Sequence, residues 1–230
     1  MTGRLVVLAS GAGTNLGAIL DAITEGRLDA EVAAVIINRR DAGARHIAER
    51  HGVPVHYRPL VPYRKRARRA AGIGPVAATA SGGGGWNPTA DRRRYDADLA
   101  DVVAGAQPDL VVLAGWMHLL SSSFLDRFPN RVINLHPALP GQFPGSDAIA
   151  AAWQAYEAGL ISRTGAMVHY VPDEGVDDGP PIASVEVPIG PGDTLEALRR
   201  RIHEAEHELI VSAIVQVLDA QPRLRAGVRL

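Results

Sequence analysis

Four short apolar runs constrain this chain more than any other feature. They occupy residues 4–9, 31–37, 109–114 and 131–135, and each has apolar residues at consecutive positions rather than at alternate ones. A strand of that kind is buried on both faces, as in a parallel sheet covered by helices. Between the runs lie stretches with helical spacing, at 16–26, 41–51 and 91–106, and a short further strand at 53–56. This alternation predicts an α/β fold: a mostly parallel twisted sheet, Rossmann-like in its N-terminal half, with helices on both faces. The second half changes character. It reads as a helix at 147–158, paired strands at 164–171 and 182–188, and a long helix at 194–218 capped by Asp193 or Thr194 with Glu196 close behind. A length of 230 residues is expected to form a single domain, 1–230, built from the halves 1–135 and 136–230.

Composition removes several function classes. The chain has no cysteine, so it has no disulfide framework, no thiolate nucleophile and no Cys-ligated zinc or iron–sulfur site. Its one lysine, Lys65, leaves little room for Schiff-base chemistry and follows no phosphate-loop glycine pattern. No apolar run approaches the roughly 20 residues of a membrane span. The first strand begins at residue 4 without a signal-peptide layout, so a soluble cytoplasmic protein without a membrane partner is expected.

The net charge of −1 hides an uneven distribution. Residues 64–94 hold eight basic side chains (Arg64, Lys65, Arg66, Arg68, Arg69, Arg92, Arg93 and Arg94) against Asp91 alone, a net of +7. The rest of the chain carries 16 basic and 24 acidic residues, a net of −8. The segment runs into an Ala/Gly-rich stretch ending in SGGGG at 81–85, and it carries no nucleic-acid fold motif. It reads as a solvated surface insertion, and no nucleic-acid partner is expected.

Four segments carry candidate chemistry. SGAGTN at 10–15 joins a strand to a helix, where glycines and the helix N-terminus suit a phosphate. It lacks the last glycine of a dinucleotide fingerprint, because Leu16 stands there. NLHPALPGQFPG at 134–145 puts Asn134 and His136 two residues apart on an extended chain, facing the same way at the end of a buried strand. An amide and an imidazole so placed can polarise a carbonyl and move a proton. PDEGVDDGPP at 172–181 crowds Asp173, Glu174, Asp177 and Asp178 into a turn, and a carboxylate near the imidazole raises its pKa. The ligand order of a calcium loop is missing. HEAEH at 203–207 matches a zinc-protease pattern but lacks a third ligand, so no metal is expected.

Four motifs, in this order and spacing, carry a resemblance. They are LASGAGTNL; DLVVLAGWMHLLSSSFL; NLHPALPGQFPG; and VHYVPDEGVDDGPPI followed by AEHELIV. The chain resembles the phosphoribosylglycinamide formyltransferase family, folate-dependent enzymes of purine synthesis, over nearly its whole length apart from residues 59–88. The resemblance implies the formyltransferase fold, with a nucleotide-binding half and a folate-binding, catalytic half. It implies direct transfer of a formyl group from 10-formyltetrahydrofolate to the amine of glycinamide ribonucleotide. Asn134, His136 and Asp177 would be the catalytic set, with His136 kept protonated by Asp177. Gly13, Thr14, Asn15 and Glu206 would hold the ribonucleotide. Arg92, Met117, Leu119, Leu120, Asn134, Val171 and Asp173 would line the folate pocket, with Arg92 meeting the anionic glutamate tail. Departures fall at Ala138, Pro140, Gly141 and Asp147, where the family pattern differs. A related transferase with another amine acceptor and a formyltetrahydrofolate hydrolase are the alternatives. Small-molecule substrates and a monomer or homodimer are expected.

Overall fold

The computed structural model describes residues 2–60 and 90–220. The clusters expected at 64–69 and 81–85 lie outside the described residues. Strands are β1 (Gly3–Ala9), β2 (Ala30–Ile37), β3 (Val55–Tyr57), β4 (Leu110–Leu113), β5 (Val132–His136), β6 (Arg163–Tyr170) and β7 (Pro181–Pro188). Helices are α1 (Thr14–Thr24), α2 (Ala44–Arg50), α3 (Ala90–Gly105), α4 (Ser122–Leu125), α5 (Ala148–Glu157) and α6 (Leu195–Ala220). No helix among the described residues is long and apolar enough to cross a membrane.

One seven-stranded sheet runs in the order β3-β2-β1-β4-β5-β6-β7. The first five strands are parallel, and β6 and β7, expected as paired strands, join antiparallel. Successive side chains of a strand point to opposite faces, which explains the unbroken apolar runs. In β1, Leu5, Val7 and Ala9 enter one core with Leu16, Ile19, Ile210 and Ile214 from α1 and α6. Val6 and Leu8 enter the other, with Tyr95 and Leu99 from α3 and Phe124 from α4. The four-residue α4 was not anticipated, because one turn leaves no periodicity to read.

Two consequences position the site. The chain leaves β1 toward β2 and β3, then returns through α3 to β4 on the other side of β1. The crevice at the carboxyl ends of β1 and β4 is therefore the switch point where α/β sheets bind ligands. In β5, Ile133 and Leu135 face the α1/α6 core while Val132 faces the other. Asn134 and His136 thus share the Val132 face, at the strand's carboxyl end.

Candidate active site

Pairing of β5 with β6 sets Asn134 opposite His169 and His136 opposite Met167. Asp177, in the loop after β6, reaches all of the polar groups at this point. Its Oδ1 accepts from Asn134 Nδ2 at 3.0 Å, and its Oδ2 lies 3.3 Å from His136 Nδ1. Its Oδ2 also accepts from the Gly145 N–H at 2.9 Å, which anchors the loop following His136. His136 Nε2 sits 3.0 Å from the Phe143 carbonyl. The three residues expected to act together are thus brought together. Asp177 (φ 53°) and Phe143 (φ 43°) both occupy the left-handed region. Asp tolerates that conformation, whereas Phe does so only where its surroundings enforce it.

His169 is a fourth member that the sequence analysis did not single out. Its Nδ1 lies 2.8 Å from the Tyr170 carbonyl, an acceptor, which places the ring proton on Nδ1. Its Nε2 lies 3.2 Å from Asn134 Nδ2 and 3.6 Å from Asp177 Oδ1. The Asn134 amide is held from two sides, by a carboxylate and an imidazole. Only cross-strand register reveals this, since His169 stands 35 residues from Asn134.

The direction of the shift at His136 is set by burial. Burial lowers the His136 pKa below its ordinary value, and the opposing Asp177 charge does not overcome it. Burial thus works against the imidazolium anticipated from a neighbouring carboxylate, while the two acceptors that face the ring, Asp177 Oδ2 and the Phe143 carbonyl, favour it. Burial also pushes the Asp177 carboxyl up. The His169 ring, the Gly145 N–H and His136 outweigh that and hold it below the usual carboxylate range.

A second group of residues lies at the switch point. Gly13 has φ 83°, and a Cβ there would stand 2.5 Å from Ala44 Cα. Glycine is required by conformation and by space, because the turn packs against the start of α2. Gly13→Ala is expected to destabilise the protein by about 2 kcal/mol or more, a fall in melting temperature of roughly 4–8 °C. Thr14 and Asn15 open α1, and Asn15 Nδ2 donates to Glu206 Oε2 of α6 at 3.4 Å. Glu206 is 5% exposed. Burial pushes its carboxyl up to about 7, and the Asn15 amide only partly offsets this.

A third wall is the loop after β4. Ser10 N–H donates to the Gly115 carbonyl and Ser10 Oγ accepts from Met117 N–H, fastening this loop to the glycine turn. Side chains alternate along it. Trp116, His118 and Leu120 turn inward, while Met117 and Leu119 are 54% and 40% exposed. Leu120, expected to line the folate pocket, lies in the core with Tyr95, Trp116 and Phe124. Val171 donates its N–H to the Val132 carbonyl, and Asp173 Oδ1 accepts the Gly175 N–H and shapes the loop leading to Asp177. Arg92 does not project into solvent. It is 3% exposed, and its Nε donates to the Leu119 carbonyl at 3.0 Å.

A sequence profile of the family described as formyl transferase matches residues 3–214. The chain belongs to the formyl transferase family. A phosphoribosylglycinamide formyltransferase from Schizosaccharomyces pombe is 43% identical over 223 residues, spanning 95% of this chain and 98% of the relative. The solved structure of a phosphoribosylglycinamide formyltransferase from Bacillus halodurans has a TM-score of 0.78 at 32% identity, covering 96% of this chain and 98% of that one. That of glycinamide ribonucleotide transformylase 1 from Symbiobacterium toebii has a TM-score of 0.75 at 39% identity, covering 93% of this chain and 86% of that one.

Within this formyltransferase, HEAEH has a plain geometric reading. His203 is on the exposed side of α6 and Glu206 is buried against Asn15. Among the described residues no three His, Asp or Glu side chains are grouped to hold a metal ion.

Proposed function

We propose that this formyltransferase moves the formyl group of 10-formyltetrahydrofolate directly onto the amine of glycinamide ribonucleotide, a cytoplasmic step of purine synthesis that uses no metal ion. The observation that carries the reading is the convergence of Asn134, His136 and Asp177 at the carboxyl end of β5. Attack of the amine on the formyl carbon creates an oxyanion and a positively charged nitrogen. Asn134 donates to the oxyanion, giving up its 3.2 Å bond to His169 Nε2, the longer of its two. His136 takes the proton from the attacking nitrogen, and Asp177 stabilises the imidazolium so formed. The same proton then goes to N10 of the folate as the C–N bond breaks. The exposed apolar side chains Met117, Leu119 and Val176 suit the flat rings of the donor. The glycine turn and the α1 N-terminus suit the ribonucleotide phosphate.

The deciding assay supplies 10-formyltetrahydrofolate with glycinamide ribonucleotide, then with other amines, then with water alone. Formylated glycinamide ribonucleotide is expected. Formate released equally fast without any amine would overturn the reading in favour of a hydrolase.

Glu206 supports the placement of the acceptor. A buried carboxyl with few partners gains most from hydroxyl donors, which the ribose supplies. Its folded pKa of about 7 lies above the ordinary 4.5, so the native state holds this proton more tightly than the unfolded chain. The associated stability is present below about pH 4.5 and is lost as pH rises through 7. Glu206→Gln is therefore expected to be more stable than the parent at pH 8, by roughly 2–3 kcal/mol, with no difference near pH 4. The same substitution is expected to raise the KM for the ribonucleotide about tenfold, because the amide lacks the carboxylate's charge. Denaturant melts at the two pH values and acceptor titrations check both halves.

A further inference from the structure

Phe143 has a backbone that its own sequence disfavours. Its φ of 43° is left-handed, which is costly for a bulky side chain. It also precedes Pro144, and a residue before proline is driven toward extended backbone. Two anchors hold it in place. On one side the Gln142 N–H donates to the Leu139 carbonyl at 3.0 Å, and Leu139 packs onto β6, where a Cβ on Gly165 would stand 2.6 Å from its Cδ2. On the other side the Gly145 N–H donates to Asp177 Oδ2 at 2.9 Å. The group that this residue presents to the site is its carbonyl, 3.0 Å from His136 Nε2. Pro144 has no N–H, so the peptide unit between the two residues can only accept.

The other ring nitrogen of His136, Nδ1, faces Asp177 Oδ2 at 3.3 Å. Both nitrogens of a buried ring therefore meet acceptors. A neutral imidazole has one N–H and satisfies only one of them, whereas the imidazolium has two and satisfies both. With Nδ1–H turned to Asp177, the neutral ring keeps its lone pair on Nε2, where the amine proton arrives. His169 also acts on the ring, in the opposite sense to Asp177, and the Gln142 carbonyl acts in the same sense as that of Phe143. Met167, apolar and buried, stands across the strand pair. We propose that Phe143 is a positioning residue whose left-handed backbone holds its carbonyl against His136 Nε2, so that the imidazolium formed during proton transfer is gripped at both ends. The proton stays on Nε2 until N10 of the donor takes it. Asp177 Oδ2 serves both grips, through His136 Nδ1 and through the Gly145 N–H, and so couples the loop to the ring. This rests on the role given to His136 in the proposed reaction.

Backbone conformation separates this role from packing of the aromatic ring. Phe143→Asn and Phe143→Val both remove the ring, but asparagine adopts the left-handed region readily and valine does not. The His136 titration is followed by NMR in the unliganded protein and assigned by its loss in His136→Ala. It is expected to stay at the parental position in Phe143→Asn. In Phe143→Val it should move about one pH unit lower, as one hydrogen bond to the charged ring is lost. The kcat for formyl transfer should fall about tenfold in Phe143→Val and recover in Phe143→Asn, with both KM values within about threefold. A measurement on the parent protein decides the matter even if the valine variant does not fold. The chain has three phenylalanines, so labelling their carbonyls with carbon-13 gives three signals. The Phe143 signal, identified by its absence in Phe143→Asn, should move with the His136 midpoint as the carbonyl gains a donor. Equal His136 titrations in folded Phe143→Asn and Phe143→Val, or a Phe143 carbonyl that does not follow His136, would overturn the proposal. Absence of formyl transfer by the parent protein would instead sink the proposed reaction, with the carbonyl titration still deciding whether Phe143 grips the ring.

Discussion

Replacing His136 by alanine is expected to lower kcat for formyl transfer by about 10²–10⁴-fold, the range lost when a positioned general acid–base is removed. Asn134→Ala is expected to cost about 10²–10³-fold, as for other single oxyanion donors. Both side chains lie on the same face of one strand and, in the proposed reaction, act on one tetrahedral carbon. Their effects are therefore expected to overlap, with the double variant little worse than His136→Ala alone. The acceptor KM should change little in either, because the contacts proposed for the ribonucleotide, at the glycine turn and Glu206, lie elsewhere. The pH profile adds an independent check. In the proposed reaction His136 begins neutral to receive the amine proton, and burial holds its pKa below the ordinary value. The kcat/KM for formyl transfer should therefore stay level through neutrality and fall only on the acid side of the ordinary histidine range, where the imidazole becomes charged. Single-turnover measurements across pH check the limb. Near-parental kcat in His136→Ala would remove the assignment.

Asp177→Asn should be nearly as damaging to rate while sparing the fold. The carboxylate accepts from Asn134 and Gly145 and faces His136 at 3.3 Å. An asparagine retains one oxygen acceptor, but it removes the charge that stabilises the imidazolium during proton transfer. A fall in kcat of roughly 10²–10⁴-fold is expected, comparable to loss of the acid–base itself. The backbone at this position has φ 53°, which asparagine adopts readily, so the melting temperature should shift by only a few degrees. The variant also loses a charge that raises the His136 pKa, so the acid limb should move to lower pH. Two outcomes would argue against the role: full activity, or an inactive variant whose melting temperature has collapsed.

Much of the fold was legible because its signals are local. The doubly buried runs at β1, β2, β4 and β5 mark a parallel sheet, and the two consecutive runs at 164–171 and 182–188, with no helix between them, mark β6 and β7 as a pair. The pairing of Asn134 with His136 followed from a two-residue spacing on an extended strand. Other features had no local signal. His169 joins the site only because β6 pairs with β5 in one register. The inward course of Arg92 depends on α3 packing beneath a loop 27 residues away.

The protonation of His136 marks the same boundary. Sequence alone determined which groups were available: an amide, an imidazole and a carboxylate, with no cysteine and a single lysine. It also determined, through side-chain periodicity, that Asn134 and His136 share a face. Tertiary structure alone decided that Asp177 arrives from 43 residues away to hold the Asn134 amide, and that burial prevails over its charge at His136. Periodicity is a property of neighbouring residues, whereas desolvation depends on every element that packs over a group and excludes water from it.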